Sequence, residues 1–422
     1  MRFTESIYMD ENVDQKEKKK HGLRISSSFV VVMTTFIDMI GYGMIIPILP
    51  FHPETAGAGA LALGLLIGSF SFMQFIFAPL LGRLSDKMGR RPVILISILS
   101  SLVSFIIFAL ADSFLLLLLS RITAGMATES AVAQAYISDI TTEKERAKGM
   151  GKVGAAHGAG FIIGPAIGGL LSIYGISALG FAAAALTGVN LLFAFFFLPE
   201  TNAHTNSDVQ TFKKTDEGYW RRLATAITKS SMSTVFVILF LTTLAFSAIP
   251  VVVPLLGIAF FGFTELETSY FFMYIGVVQI VLQGLLIGRL AKRLGEELLI
   301  VLGSISMMIG MLFMPLFPHI VVFLVALTLM SSGIGTLNTV LPSFISKKTS
   351  SDEQGGMLGV AQSVGSVARV PGPLIGGFIA EFAGLNVALS LSAVIVLCAV
   401  VLGFKVFQVH KFRGRQTEEI SH

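Results

Sequence analysis

The chain has 422 residues, of which 54% are hydrophobic and only 13% charged, and its mean hydropathy is +0.79. That composition excludes an ordinary soluble domain and a disordered chain, and points to a polytopic membrane protein. The single cysteine, Cys398, excludes an intramolecular disulfide and a thiolate metal site.

Runs of about 20 apolar residues, enough to cross a hydrocarbon core, recur twelve times. They predict helices over 28–50, 61–82, 92–111, 114–138, 151–174 and 178–198 (spans 1 to 6). A second set follows over 233–256, 268–290, 298–315, 320–342, 357–380 and 385–408 (spans 7 to 12). The expectation is an all-α membrane protein with twelve transmembrane helices. With an even number of spans, both termini share one side. The tails and the loops after spans 2, 4, 6, 8 and 10, together with the span ends that adjoin them, collect 28 of the 30 Lys and Arg residues. The opposite loops hold none, and Arg121 and Arg369 fall inside spans. This bias predicts that both termini are cytoplasmic, so the pI near 9.1 reports orientation and not nucleic-acid binding. The polar N-terminal tail lacks the apolar core of a cleaved signal peptide. Its Lys16, Lys18, Lys19 and Lys20 predict a solvated segment, with contact to anionic lipid as the alternative.

An internal repeat divides the chain. Gly164-Pro165-Ala166-Ile167-Gly168-Gly169 in span 5 returns 208 residues later as Gly372-Pro373-Leu374-Ile375-Gly376-Gly377 in span 11. Ala135-Tyr136-Ile137-Ser138 matches Ser343-Phe344-Ile345-Ser346 at the same offset. The segment after span 2 recurs 206 residues on as Gly288-Arg289-Leu290-Ala291-Lys292-Arg293-Leu294-Gly295. Two pseudo-symmetric six-helix bundles are expected, over 28–198 and 233–408. They are flanked by tails 1–27 and 409–422 and joined by a polar linker, 199–232, in which Tyr219-Trp220-Arg221-Arg222 reads as an interfacial anchor.

Span 1 carries Asp38, followed by Gly41, Gly43, Pro47 and Pro50, residues that loosen a helix lining a cavity. The hairpin after span 2 reads Gly82-Arg83-Leu84-Ser85-Asp86-Lys87-Met88-Gly89-Arg90-Arg91. Gly82 and Gly89 are expected to bend the chain at its two ends. Asp86 is set to pair with the surrounding cations or to cap a helix. A plain positive-inside loop explains the arginines but not the glycine–acid spacing. In span 4, Arg121, Gly125, Glu129 and Gln134 precede Asp139. On one continuous helix Arg121 and Glu129 would stand about 12 Å apart on broadly the same face.

Each central charge costs about 2.5–3.5 kcal/mol in a bilayer, so Asp38, Arg121, Glu129 and Arg369 together cost roughly 10–14 kcal/mol. They must be paired, protonated or facing water. A cavity role is therefore favoured over a purely structural ion-pair set. Span 5 adds His157, read as a proton relay or a packing histidine. Gly160, Gly164, Gly168 and Gly169 there permit close helix approach, and Pro165 removes a backbone donor. Among 35 Phe residues, clusters such as Phe193 to Phe197 are expected at lipid or in packing. Gln279 and Gln283, four apart in span 8, are better cavity candidates, because buried amides need partners.

The hairpin spacing resembles the signature between helices 2 and 3 of the major facilitator superfamily. Asp38-Met39-Ile40-Gly41-Tyr42-Gly43, Arg121-Ile122-Thr123-Ala124-Gly125 and the Gly160 to Gly169 run resemble motifs of its drug/proton antiporters with twelve helices. The chain is most similar to the tetracycline-efflux group, also through Gly43 to Pro50 and Leu198-Pro199-Glu200-Thr201. The resemblance implies the major facilitator fold. It also implies a conformational latch at Gly82, Asp86, Gly89, Arg90 and Arg91, proton coupling through Asp38 and Arg121, and an antiporter motif at Gly160, Gly164, Pro165, Gly168 and Gly169. Physics adds Glu129 to the coupling set, since a carboxyl facing a central cavity can hold a proton or a cationic substrate but not both. Glu129, Gln134, His157, Gln279 and Gln283 are the expected cavity residues. The tetracycline group carries an acid where this chain has Ser104, which disfavours tetracycline itself.

There is no Gly-x-x-x-x-Gly-Lys-[Ser/Thr] phosphate loop. No catalytic or metal-ligand constellation is seen, so neither an enzyme nor a cofactor is expected. The expected function is proton-coupled efflux of small amphipathic drugs across the plasma membrane, by a monomer whose partners are substrate, protons and lipid. The alternatives are a facilitator exporting a sugar or other metabolite, and a transporter-derived sensor. The first usually carries Pro-Glu-Ser-Pro-Arg where this chain has Pro199-Glu200-Thr201-Asn202, and a sensor has no reason to keep groups for proton exchange.

Overall fold

The computed structural model describes residues 26–52, 54–55, 57–127, 129–201, 232–349 and 354–420. The N-terminal tail up to residue 25 and most of the linker, including the Tyr219 to Arg222 run, lie outside the described residues. The first half contains α1 Ser27–Ile45, α2 Gly59–Met88, α3 Arg90–Leu110, α4 Phe114–Met126, α5 Glu129–Ile140, α6 Glu143–Ser172 and α7 Ile176–Phe197. The second contains α8 Ser233–Ser247, α9 Ile249–Phe261, α10 Glu265–Val281, α11 Ile287–Leu294, α12 Glu296–Phe313, α13 Ile320–Lys348, α14 Gln354–Arg369, α15 Pro371–Phe382 and α16 Leu385–Ile420.

Among the described residues, ten stretches of helix are long and apolar enough to cross a membrane. The other two expected crossings, spans 4 and 11, are each divided into two shorter helices, α4 with α5 and α14 with α15. In span 11 the division falls at Val370, which keeps helical backbone angles, because Pro371 and Pro373 lack the amide hydrogens that would carry the helix ladder through. In span 4, Ala127 leaves the helical region, with ψ of 58°. Arg121 and Glu129 therefore do not share one continuous helix, which corrects the single-face expectation. Span 8 is irregular where a π-turn, Leu282–Leu286, joins α10 to α11. The last helix runs beyond residue 408 to Ile420.

Without a hydrophobic drive between helices in lipid, close packing of small residues holds such a bundle together. The duplicated Gly-Gly pairs show how. A Cβ on Gly168 would lie 2.6 Å from the Met44 carbonyl oxygen of α1, and one on Gly376 would lie 2.7 Å from the Ala248 Cβ, at the turn between α8 and α9. Each copy thus packs against the first span of its own half. The next glycine of each pair faces the other half. A Cβ on Gly169 would stand 2.7 Å from Ser269 of α10, and one on Gly377 would stand 2.5 Å from the Ala60 carbonyl oxygen of α2. Gly64 approaches Pro373 and Gly276 approaches Ile162 in the same two seams.

All these seams lie toward the end opposite the basic loops. There, one buried apolar cluster runs through both halves, from Met44, Leu63 and Leu66 to Val252 and Leu256. At the basic end the first half has a separate cluster around Val30, Ile94, Val132, Tyr136 and Ala194. Added Cβ atoms at Gly151, Gly154, Gly158, Gly284, Gly288, Gly356, Gly359 and Gly365 would meet nothing within 4 Å. The two halves close on each other at one end and stand apart at the basic end.

Candidate functional site

Asp38 lies on the buried side of α1, and its Oδ1 accepts a hydrogen bond of 2.9 Å from Ser101 of α3. It is 8% exposed, and Glu129, at the start of α5, is 3% exposed and within electrostatic reach of it. Among the described residues neither carboxylate oxygen of Glu129 has a hydrogen-bond partner. Helix α5 packs on α1, α2, α3 and α6, all of the first half. This corrects the expectation that Glu129 faces the central cavity. The break at Ala127 turns it into the interior of its own bundle, beside Thr34 and Asp38.

Further polar groups share that interior. Asn190 of α7 donates to the Thr34 carbonyl oxygen at 3.2 Å. The hydroxyls of Ser97, Ser104 and Thr187 are buried without partners among the described residues. Arg121, 1% exposed, donates from Nε to Ser120 at 3.3 Å and stands 5.4 Å over the Phe108 ring. No ion pair joins it to Asp38 or Glu129 among the described residues.

Tyr42, half-buried on α1, connects this interior to the space between the halves. Arg121 and Arg369 of α14 both reach it electrostatically. Its ring lies 4.9 Å from Phe70 and 6.4 Å from Phe161. His157 and Arg369 are exposed although protein encloses them on nearly every side, which puts both on the wall of the open cavity. Gln134 is exposed on α5. Gln279 and Gln283 lie against Gly335 of α13, the second of them in the π-turn, a feature frequent at functional sites. The Gly160, Gly164 and Gly168 face of α6, with Pro165 beside Gly43, is fitted against α1.

The hairpin forms an ionic cluster. Arg90 Nη1 pairs with Asp86 at 2.6 Å, and its Nε donates to Asp139 Oδ2 at 2.8 Å. Glu200, beyond span 6, accepts from the Arg90 and Arg91 backbone amides at 2.9 and 3.2 Å and so caps α3. Gly89 makes the turn with φ of +99°, a conformation that L side chains rarely adopt. Gly82 does not bend the chain, because α2 runs straight through it to Met88. The second half repeats the core pair with its charges exchanged. Glu296, 206 residues after Arg90, bonds Lys347, 208 residues after Asp139, also at 2.8 Å.

Sequence reasoning missed Glu200, Ser101 and Tyr42 as site members. Only the Leu-Pro-Glu-Thr run offered a signal for the first, and the aromatic within the Asp38 motif for the last.

Two helical halves around a cavity, with buried acids inside the first half, define a multi-pass membrane transporter. The chain belongs to the Major Facilitator Superfamily, which it matches over residues 31–373. It is 32% identical over 358 residues to the class E tetracycline resistance protein of Escherichia coli, covering 83% of this chain and 87% of that protein. Multidrug resistance protein 2 of Bacillus subtilis is 28% identical, over 83% of this chain and 88% of its own. Among solved structures, the human organic anion transporter MFSD10 (TETRAN) superposes with a TM-score of 0.65 at 23% identity, covering 91% of this chain and all of that one. A bacterial homologue of the human lysosomal transporter Spinster gives 0.74 at 13% identity, covering 90% and 96%. Those two likenesses establish the fold. The relatives near 30% identity place the chain among transporters of the drug-efflux kind.

Proposed function

We propose that this protein exports small amphipathic compounds in exchange for protons, by alternating access, from a cytoplasm that contains both its termini. The observation that carries the reading is the pair of buried carboxyls, Asp38 and Glu129, which have no ion-pair partner among the described residues and lie next to a cavity wall. In a bilayer such groups are too costly to keep for packing alone, and protons are the counter-charge small enough to reach them. Closure at one end and separation at the basic end supports a cavity open to the cytoplasm, given the distribution of Lys and Arg. The Asp86–Arg90–Asp139 cluster is the part of the latch that would be remade as that end closes. The proposed substrates are amphipaths in general rather than tetracycline, because Ser104 stands where the tetracycline group has an acid.

The test is uptake of a fluorescent amphipathic dye into inverted membrane vesicles after a pH gradient is imposed. Uptake that collapses with the gradient, and that Asp38→Asn abolishes, is the expected result. Uptake indifferent to the gradient would overturn proton coupling.

A further inference from the structure

Arg369 ends α14 halfway along span 11, where the chain turns through Val370 into α15. It makes no hydrogen bond or ion pair among the described residues. Across the cavity, Tyr42 of α1 and His157 of α6 lie within its electrostatic reach. The space between them is open. A Cβ at Gly154 or Gly158, beside His157, would meet no atom within 4 Å. Phe161, one turn beyond His157, and Phe70 flank the Tyr42 ring and give the cavity an aromatic wall.

The charges around this space are of one sign. Arg121 also reaches Tyr42, from inside the first half, and no carboxylate is among the groups acting on Arg369 or His157. Asp38 and Glu129 are buried within the first bundle. The C-terminal end of α14 offers Arg369 a partial negative charge, but it does not fill the guanidinium fork.

We propose that Arg369, with His157 and Tyr42, binds the anionic group of an amphipathic substrate, a carboxylate or sulfonate, whose apolar body lies on Phe161 and Phe70. The proposal rests on the transport reading and names its substrate class. It reverses the sequence expectation of a cation held at Glu129. Guanidinium binds such oxyanions through paired, charge-assisted hydrogen bonds, and the hydroxyl and imidazole supply further donors. It also ties binding to movement. Closing the basic end would seal an unpaired cation between the halves, so the bound anion becomes the condition for closure. A free organic anion and an anionic lipid headgroup share this chemistry.

The test uses the full-length protein in nanodiscs of zwitterionic lipid, titrated with 2-naphthalenesulfonate, 2-methoxynaphthalene and 2-naphthyltrimethylammonium. The sulfonate should bind about tenfold or more tightly than the ammonium. Arg369→Gln should erase that preference while holding affinity for the uncharged compound within about twofold, and Arg369→Lys should keep most of it. If Arg369→Gln loses the uncharged compound as well, Arg369→Lys decides, and loss of its preference overturns the site. A preference unchanged in Arg369→Gln, or a wild-type preference for the ammonium, also overturns it. Displacement of the sulfonate by added phosphatidylglycerol would assign the site to a lipid headgroup, and no displacement would assign it to a free anion. No proton gradient is present, so this result is separate from the flux assay. Gradient-driven flux without anion preference would sink the site and leave the transporter reading standing.

Discussion

Glu381, near the end of α15, accepts a hydrogen bond of 2.6 Å from the backbone amide of Ala60, in the first turn of α2. The two residues are 321 positions apart and belong to opposite halves. The residue before α2, Ala58, supplies no side-chain cap, so a carboxylate from the other half does so. This bond is made only while the end opposite the basic loops is closed. Glu381→Gln should therefore loosen that end, by about 0.3–2 kcal/mol. A cysteine at Leu374, in a Cys398→Ser background, reports it through its labelling rate with an impermeant maleimide. Faster labelling is expected, and an unchanged rate would mean that the cap does not hold the seam.

The exchanged ion pairs make a second prediction. Reversing Glu296–Lys347 to Glu296→Lys with Lys347→Glu should restore the stability lost by either single change, about 0.2–1 kcal/mol for a pair whose lysine is largely exposed. Thermal unfolding of the four proteins in detergent measures it, and additive single effects would show that the two residues do not interact.

For the hairpin, Asp86→Asn should leave expression and insertion intact but slow transport, since Arg90 keeps Asp139 and loses a partner. Neutralising Lys292, at the equivalent place in the second half, should be tolerated better. Wild-type flux in Asp86→Asn at equal expression would remove the residue from the proposed latch.

Asp38→Asn and Arg121→Gln should each abolish uphill, gradient-driven export. Ser101→Ala removes one hydrogen bond from Asp38 and should only weaken it, on the order of 1 kcal/mol or about fivefold. Uphill export that persists in Asp38→Asn would exclude this carboxyl from proton exchange.

Glu129→Gln distinguishes the interior position from the cavity position. With its carboxyl buried beside Asp38, export of a matched cation and of its neutral analogue should fall together. Thermal stability should hold or rise, because a buried carboxylate without a partner costs about 1–3 kcal/mol. Selective loss of the cation would return Glu129 to the cavity wall.

Much of this protein is written locally. The apolar runs, the loop charges and the 208-residue repeat follow from hydrocarbon thickness, the positive-inside bias and duplication, none of which needs a neighbour in space. The glycine runs announced close approach but not its partner. Only the folded chain shows Gly168 and Gly376 packed within their own halves, and Gly169 and Gly377 across to the other. Glu129 was legible as costly, yet its direction depended on the break at Ala127, a backbone turn that no periodicity signals. Nothing local marks Glu200 and Glu381 as helix caps, and only the fold places them on helix ends 110 and 321 residues away. Which end closes and what Arg369 faces were likewise left to the tertiary structure. Hydropathy records each residue's cost in lipid, whereas partners and open space are set by how the two halves meet.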